Sequence, residues 1–317
     1  MRRLRSNLLG LLGVLVAVSI VTFVLVNLLP GDPAIAILGE TATPEAIAIL
    51  HARLGLDLPI PIRYLHWLGN VLIGDFGRAF RSGDPVLPLI MQRLPVTIEI
   101  LVLAQIFALL LALPMGIWTA YRARRPVDHL SLGLSLGLLS MPSFLVGILL
   151  IYGFALHLGL FPATGFTPIA DGLGDNLRSV TLPGATLALV EFPVYMRLLR
   201  SEMIQTLQQN FIGVARAMGL PVWRILLQHA LRPSSINLIT VLGINIGRLI
   251  GGAVIVEVLF GLPGVGQLLV QSIFQKEILI VQGVVLVVAT FFVLINATVD
   301  LLYHLVDPRL RHDARRA

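Results

Sequence analysis

Long apolar runs separated by short polar interruptions dominate this chain. Six runs stand out, at about Leu8–Leu29, Thr97–Ala120, Leu130–Leu156, Val180–Leu199, Ile236–Glu257 and Ile278–Val299. Each is close to the roughly 20 residues a helix needs to cross a bilayer core. They are too long for strands, and a lone strand in lipid leaves its backbone groups unsatisfied. The pattern therefore predicts an all-α, polytopic membrane protein with six transmembrane helices. The fourth run carries the weakest signal, because Glu191, Pro193 and Arg197 interrupt it. Pro114, Pro142 and Pro193 fall inside runs and are expected to kink their helices.

Composition agrees. Of 317 residues, 56% are hydrophobic and 13% charged, where a soluble domain carries about a quarter charged. Cysteine is absent, which excludes disulfides, thiolate metal sites and cysteine nucleophiles. The start, Met-Arg-Arg-Leu-Arg before an apolar run, superficially looks like a signal peptide. The run is too long for a signal-peptide core and further spans follow, so an uncleaved first helix is expected.

Basic residues set the orientation. Arg2, Arg3 and Arg5, then Arg122, Arg124 and Arg125, then Arg197, Arg200, Arg216, Arg224 and Arg232, and finally Arg309, Arg311, Arg315 and Arg316 fall on one side of a six-span topology. The short loops opposite hold Arg178 and Lys276. The positive-inside rule places both termini in the cytoplasm. The net charge of +6 is explained by those loops, so no nucleic-acid partner is needed.

Three parts are expected: residues 1–29 as tail and first helix, 30–95 as an external segment, and 96–317 as a five-helix membrane domain that includes a loop at 201–233. The external segment mixes turn formers with apolar residues, in Leu54-Gly55-Leu56-Asp57, in the patch Tyr64, His66 and Trp67, and in Gly74-Asp75-Phe76-Gly77. It reads as a small packed cap of short helices.

The loop at 201–233 is the most informative stretch. Phe211–Met218 reads as a short helix with Asn210 as N-cap. Gly219 sits where a helix ends in the left-handed conformation, followed by apolar Leu220. Pro221 opens a second helix, which Arg232-Pro233 should stop, leaving Ser234 or Ser235 to cap the fifth span. On physical grounds alone, such a basic hairpin fits an element lying on anionic lipid as well as one that receives force.

Ala215-Arg216-Ala217-Met218-Gly219-Leu220, with Leu227-Gln228-His229-Ala230-Leu231-Arg232, resembles the EAA-loop region of ABC importer permeases of the dipeptide/oligopeptide/nickel family. Pro30-Gly31-Asp32-Pro33, Gly74-Asp75-Phe76-Gly77, Met141-Pro142-Ser143-Phe144, Phe161-Pro162-Ala163-Thr164-Gly165, Phe260-Gly261-Leu262-Pro263-Gly264-Val265-Gly266 and Asp307-Pro308-Arg309 match further motifs of that family in order. The long external segment resembles the B-type subunit. Two positions depart from the family's pattern: Gly213 stands at the place of the EAA glutamate, and Ala79 where serine is common. The resemblance implies a type I importer permease moving peptides, or a related solute such as a nickel chelate, by alternating access. It implies as partners a homologous C-type permease, two ABC ATPases and an external substrate-binding protein, besides membrane lipid. Ala215, Arg216, Ala217, Met218, Gly219, Leu220 and Pro221 would then form the coupling helix that docks on an ATPase.

Other residues stand out by their chemistry. Arg248 lies mid-span, where a cation is expensive and faces protein or water. It either lines a path or interface, or pairs with Glu191, which lies about a turn away in depth. Glu257, near the external end of the fifth span, is either a solvated carboxylate or a contact for substrate or binding protein. Gly243, Gly247 and Gly251 make a small-residue face for close helix approach, within the subunit or at an interface. Gly133-Leu134-Ser135-Leu136-Gly137 has nucleophile-elbow spacing, but it lies in an apolar run without a placed His or Asp. The seven histidines are scattered, so no metal site is expected. No phosphate-binding loop is present, so the chain is expected to be no enzyme and to carry no cofactor. A gradient-driven transporter or channel is the alternative, with Glu191 as its mid-membrane carboxylate. An intramembrane enzyme would need a Ser/His or Asp/Asp pair that is not evident.

Overall fold

A computed structural model of the chain describes residues 2–28, 33–38, 42–54 and 57–306. Pro30-Gly31-Asp32, Gly55-Leu56, Asp307-Pro308-Arg309 and the arginines at 311, 315 and 316 lie outside the described residues. Within them the chain is helical, with one isolated antiparallel bridge between Arg78 and Pro85. The helices are α1 (Arg2–Leu28), α2 (Pro33–Leu38), α3 (Pro44–Leu54), α4 (Ile60–Leu72), α5 (Val86–Tyr121), α6 (Pro126–Ser140), α7 (Ser143–Leu150, continued by a π-helical turn Ile151–His157), α8 (Leu173–Leu207), α9 (Asn210–Ala217), α10 (Val222–Arg224, continued by a π-helical turn Ile225–Ala230), α11 (Leu231–Phe260), α12 (Val265–Phe274) and α13 (Ile278–Val306).

Among the described residues four helices are long and apolar enough to cross a membrane: α5, α8, the continuous Val222–Phe260 and α13. The bent pair α6 and α7 adds a fifth if it is one span. In α1 the described apolar stretch is Gly13–Leu25.

Two expectations are corrected. The third run is not one helix: α6 and α7 meet at 105°. Met141 precedes a proline and is extended at φ −88, ψ 129, since the ring of Pro142 disfavours the helical region for the residue before it. Pro142 then stands as the N-cap of α7. The fifth span, in contrast, does not start afresh after Pro233. Helix runs without interruption from Val222 to Phe260. Proline clashes with the carbonyl four residues back, here that of His229. That carbonyl lies in the π turn Ile225–Ala230, where wider hydrogen-bond spacing relieves the clash. Ser234 and Ser235 consequently cap nothing: the Ser234 hydroxyl pairs with that of Thr206 at 2.9 Å, and Ser235 bonds back to the carbonyl of Arg232.

The chain divides into two compact units, residues 1–96 with 263–294 and residues 97–262 with 295–317. In the first, Val86, Ile90, Val265, Ile280 and Val284 centre an aliphatic core. Short helices do form between α1 and α5. Tyr64 and Trp67 of the aromatic patch are not free, because both rings pack on Phe23 of α1 at 5.5 and 5.7 Å, and the Tyr64 and Ser19 hydroxyls pair at 2.8 Å. The Gly74–Gly77 motif turns on its aspartate, whose carboxylate accepts the Gly77 N–H at 2.9 Å. The buried carboxylate of Glu277 accepts the N–H groups of Phe80 and Arg81 at 2.7 and 2.8 Å. It thus satisfies a loop that forms no ladder of its own.

In the second unit α8 is the hub, packed by α6, α7 and α11. Phe192, Tyr195 and Met196 of α8 meet Ala108 and Ala112 of α5 and Leu238 of α11 in one core. Leu199 and Met203 continue it toward α9 and the π turn, with Ile212, Ala215 and Ile225.

Candidate functional site

The hairpin is built as two helices around a glycine turn, with local differences from the sequence expectation. α9 begins at Asn210 itself, and its N-cap is Gln209, which makes no side-chain cap bond. Its C-terminus closes in a Schellman arrangement. Gly219 is left-handed at φ 73, its N–H donates to the carbonyl of Arg216 at 3.0 Å, and the Leu220 N–H donates to that of Ala215 at 3.2 Å. Both bonds capture carbonyls that a helix end otherwise leaves orphaned. Pro221 is the N-cap of α10 rather than its first residue, at φ −66, ψ 147.

The hairpin has two faces. Ile212, Ala215 and Ile225 are buried and root it against Leu199, Met203 and Ala120. Phe211, Val214, Met218, Val222 and Trp223 are exposed, beside Arg216 and with the Arg224 guanidinium 5.3 Å from the Trp223 ring. Of the seven residues singled out in sequence, Arg216, Ala217, Met218, Gly219 and Pro221 are exposed, Leu220 is half-buried and Ala215 is buried. This surface is apolar and cationic on a backbone closed at its turn by two hydrogen bonds.

The mid-span charges meet. Arg248 of α11 donates from Nε to Glu191 Oε1 at 3.2 Å, and from Nη2 to Oε1 and Oε2 at 2.9 and 3.0 Å. The pair is lopsided: the Glu191 side chain is 3% exposed and that of Arg248 55%. Around Glu191 the structure gathers Tyr195, with Gln105 and Asn245 beside it. Among the described residues the Tyr195 hydroxyl, the Asn245 amide nitrogen and both polar atoms of Gln105 are buried without a hydrogen-bond partner. Nothing in the sequence flagged this group beyond the charges themselves.

Of the two readings of Glu257, burial excludes the solvated carboxylate. Glu257 is fully buried and accepts the Thr97 hydroxyl proton at 2.6 Å, so the end of α11 is tied to α5. The glycines of α11 do not share one environment. Gly243 is buried, Gly247 half-buried and Gly251 exposed. A Cβ on Gly251 would meet nothing within 4 Å, whereas one on the neighbouring Gly252 would lie 3.2 Å from Leu187 of α8. Four-residue spacing drifts around a helix of 3.6 residues per turn, and only part of the stripe faces the α8 seam.

Sequence reasoning missed Asp128. Its buried carboxylate accepts Arg200 Nε and Nη2 at 2.6 and 2.7 Å and the Arg124 backbone N–H at 2.8 Å, pinning α6, α8 and the loop between α5 and α6. An acidic residue in the first turn of a helix, just after an arginine cluster, was the available signal. Among the described residues no group of three or more His, Asp or Glu could hold a metal ion.

Residues 112–312 match the family described as binding-protein-dependent transport system inner membrane component. Residues 1–101 match its N-terminal companion. A Brucella abortus (strain 2308) protein, whose name assigns it provisionally to a peptide transport system as permease, is 40% identical over 300 residues, covering 95% of this chain and 96% of that one. The dipeptide transport system permease DppB of Alkalihalophilus pseudofirmus is 36% identical, with 96% and 98% covered. DppB of Escherichia coli (strain K12) is 35% identical, with 94% and 95% covered. In fold the chain is similar to a chain of the MetNI methionine ABC transporter in inward-facing form, at TM-score 0.55 and 18% identity, covering 69% of this chain and 96% of that one. The relatives are transport permeases and not enzymes. With helices built to cross a membrane, a hairpin rooted in their core and matches that together span nearly all of its length, this chain belongs to the binding-protein-dependent transport system inner-membrane components, as a multi-pass permease subunit of an ABC importer.

Proposed function

We propose that this chain is the B-type half of a peptide importer, paired in the membrane with a homologous C-type permease, driven by two ATPase subunits and fed by an external peptide-binding protein. Peptides are favoured as cargo because the relatives named above carry peptide or dipeptide transport in their names. In this reading α1 and the bent pair α6 and α7 complete six spans, both termini are cytoplasmic, and the basic loops face the ATPases.

The observation that carries the reading is the two-faced hairpin. Ile212, Ala215 and Ile225 join it to the core of α8, while Met218, Val222 and Trp223 remain uncovered. Displacement of the outer face by ATP-driven closure passes into α8 and the long Val222–Phe260 helix as a rigid-body movement. Residues 215–221 form the docking contact in this reading. Arg248, held by Glu191, and the exposed side of α11 around Gly251 line the path or the interface with the second permease, where a mid-span cation meets water or protein. Gly243 and Gly252 serve packing within the subunit. Glu257 holds α11 to α5 and meets no cargo.

Purification of the tagged chain in mild detergent, with mass spectrometry of what accompanies it, tests the assembly. A second six-span permease and ATPases are expected. Gly219→Pro cannot adopt the left-handed turn and should lose the ATPases while keeping the second permease. Dipeptide-dependent ATP hydrolysis by the reconstituted complex tests the cargo. A chain that purifies alone after crosslinking would sink the assembly; hydrolysis indifferent to every dipeptide would sink the cargo.

A further inference from the structure

Between α6 and α8 lies a cavity of about 520 Å³, lined by Leu132, Leu139, Val194, Arg197, Leu198, Arg200 and Ser201. Its charges do not balance within the chain. Arg200 is compensated by the bidentate carboxylate of Asp128. Arg197 is exposed, and no hydrogen bond or ion pair is found for it among the described residues. One uncompensated cation remains.

Depth makes that cation unusual. Asp128 lies in the first turn of α6, and its contact with Arg200 marks the polar end of the helix pair. Arg197 is three residues further into α8, about 4.5 Å along the axis. It is flanked by Val194 and Leu198, opposite Leu132 and Leu139 of α6. An arginine one turn inside the interface, beside an aliphatic groove, needs an anion that reaches down to it or a path for its head group to snorkel out. A peptide or nucleotide phosphate matches the charge but not the aliphatic walls. A phospholipid matches both, with a phosphodiester for the guanidinium fork and the Ser201 hydroxyl, and an acyl chain for the leucines and valine.

We infer that the groove between α6 and α8 is a binding site for one anionic phospholipid, its phosphate on Arg197 and Ser201 and an acyl chain along Leu132, Leu139, Val194 and Leu198. The lipid's single negative charge meets the single unpaired cation. It also covers the seam next to Asp128 and Arg200, the contact that fixes α6 to α8. The site needs only that the helices are in a membrane and stands whichever leaflet that end faces.

The test uses the transporter assembled with the subunits that co-purify, reconstituted in phosphatidylcholine vesicles with or without phosphatidylglycerol, re-extracted and weighed by native mass spectrometry. Retention of one phosphatidylglycerol per copy of this chain is expected, in preference to phosphatidylcholine. Arg197→Gln should lower that retention about tenfold, the worth of a charge-assisted contact of roughly 1.4 kcal/mol, and Arg197→Lys should keep a part of it. Leu139→Trp, which fills the groove and leaves every charge in place, should lower it as well. Arg178→Gln, on an exposed arginine at the far end of α8, should not. Equal retention of both lipids, unchanged retention in Arg197→Gln and Leu139→Trp, or binding by the isolated chain that vanishes in the assembled complex would each overturn the assignment.

Discussion

Helices α8 and α5 teach opposite lessons about apolarity. α8 is the least apolar of the four long spans, yet two-thirds of its most apolar stretch is buried. The corresponding stretch of α5 is far more apolar and only one-third buried, with Val102, Ile106, Leu110 and Leu111 turned outward. In water the more apolar helix would be the inner one. In lipid the hydrocarbon is as good a solvent for leucine as the protein interior is, so no hydrophobic force sorts helices inward. Polar side chains are the ones that need protein around them. Of the residues that make α8 read weakly as a span, Glu191 and Pro193 are buried, and with Thr186 and Tyr195 they form the inward side that makes it the hub.

The largest test of this contrast is the ion pair. Removing the arginine strands a buried carboxylate, whereas removing the carboxylate strands a half-exposed cation. Arg248→Met should therefore destabilise the protein by about 3 kcal/mol, seen as a lower thermal midpoint in detergent, and Glu191→Gln by clearly less. A larger loss in Glu191→Gln would mean that Arg248 is the more confined partner. The double variant should recover much of the loss, because no uncompensated charge is left.

A finer comparison sets two adjacent glycines of α11 against each other. Gly252→Val drives methyl groups into Leu187 of α8 and should cost about 1–3 kcal/mol by overpacking. Gly251→Val points into open space, so its effect on this subunit's stability should be slight. If Gly251→Val instead abolished co-purification of the second permease at normal stability, the exposed face of α11 would be identified as the subunit interface.

The hairpin that follows α8 gives a smaller effect. Gly219→Ala forces a Cβ into the left-handed region and should cost about 1 kcal/mol. Peptide-dependent ATP hydrolysis should fall further than thermal stability does, since the turn sets the pose of the exposed face. Parallel losses in the two measurements would reduce the turn to a folding role. Least of all, Leu110→Val on the outer face of α5 should change the midpoint by no more than about 0.5 kcal/mol.

How much was legible depends on whether the signal was local. The left-handed turn at Gly219 could be read because its requirement is met within six residues: helix, glycine, apolar residue. At Met141-Pro142 the expected kink is a break, while the prolines at 114, 183 and 193 stand inside α5 and α8 with no break, so the residue type alone does not tell the two apart. Whether a proline bends or breaks depends on what else can satisfy the freed carbonyls. Pro233 departs from expectation the other way, since the π turn ahead of it has no signature in the residue string. Glu257 stands at the expected end of its helix, but the choice between a solvated and a contacting carboxylate is not local, for its partner Thr97 is 160 residues away.

Residue order is enough to set the solvent and the class of structure: spans long enough for a bilayer, a hairpin with its glycine turn, and ordered motifs that belong to one family of permeases. These follow from periodicity, length and local backbone rules, which act over a few residues. Which charges find each other depends on packing, even where the residue order offers the pair, as it does for Arg248 and Glu191. Arg248 took Glu191, Arg200 took Asp128, and Arg197 was left over. In low dielectric a charge is tolerable only beside its partner, and which partner comes within hydrogen-bond reach is settled by how helices distant in sequence pack.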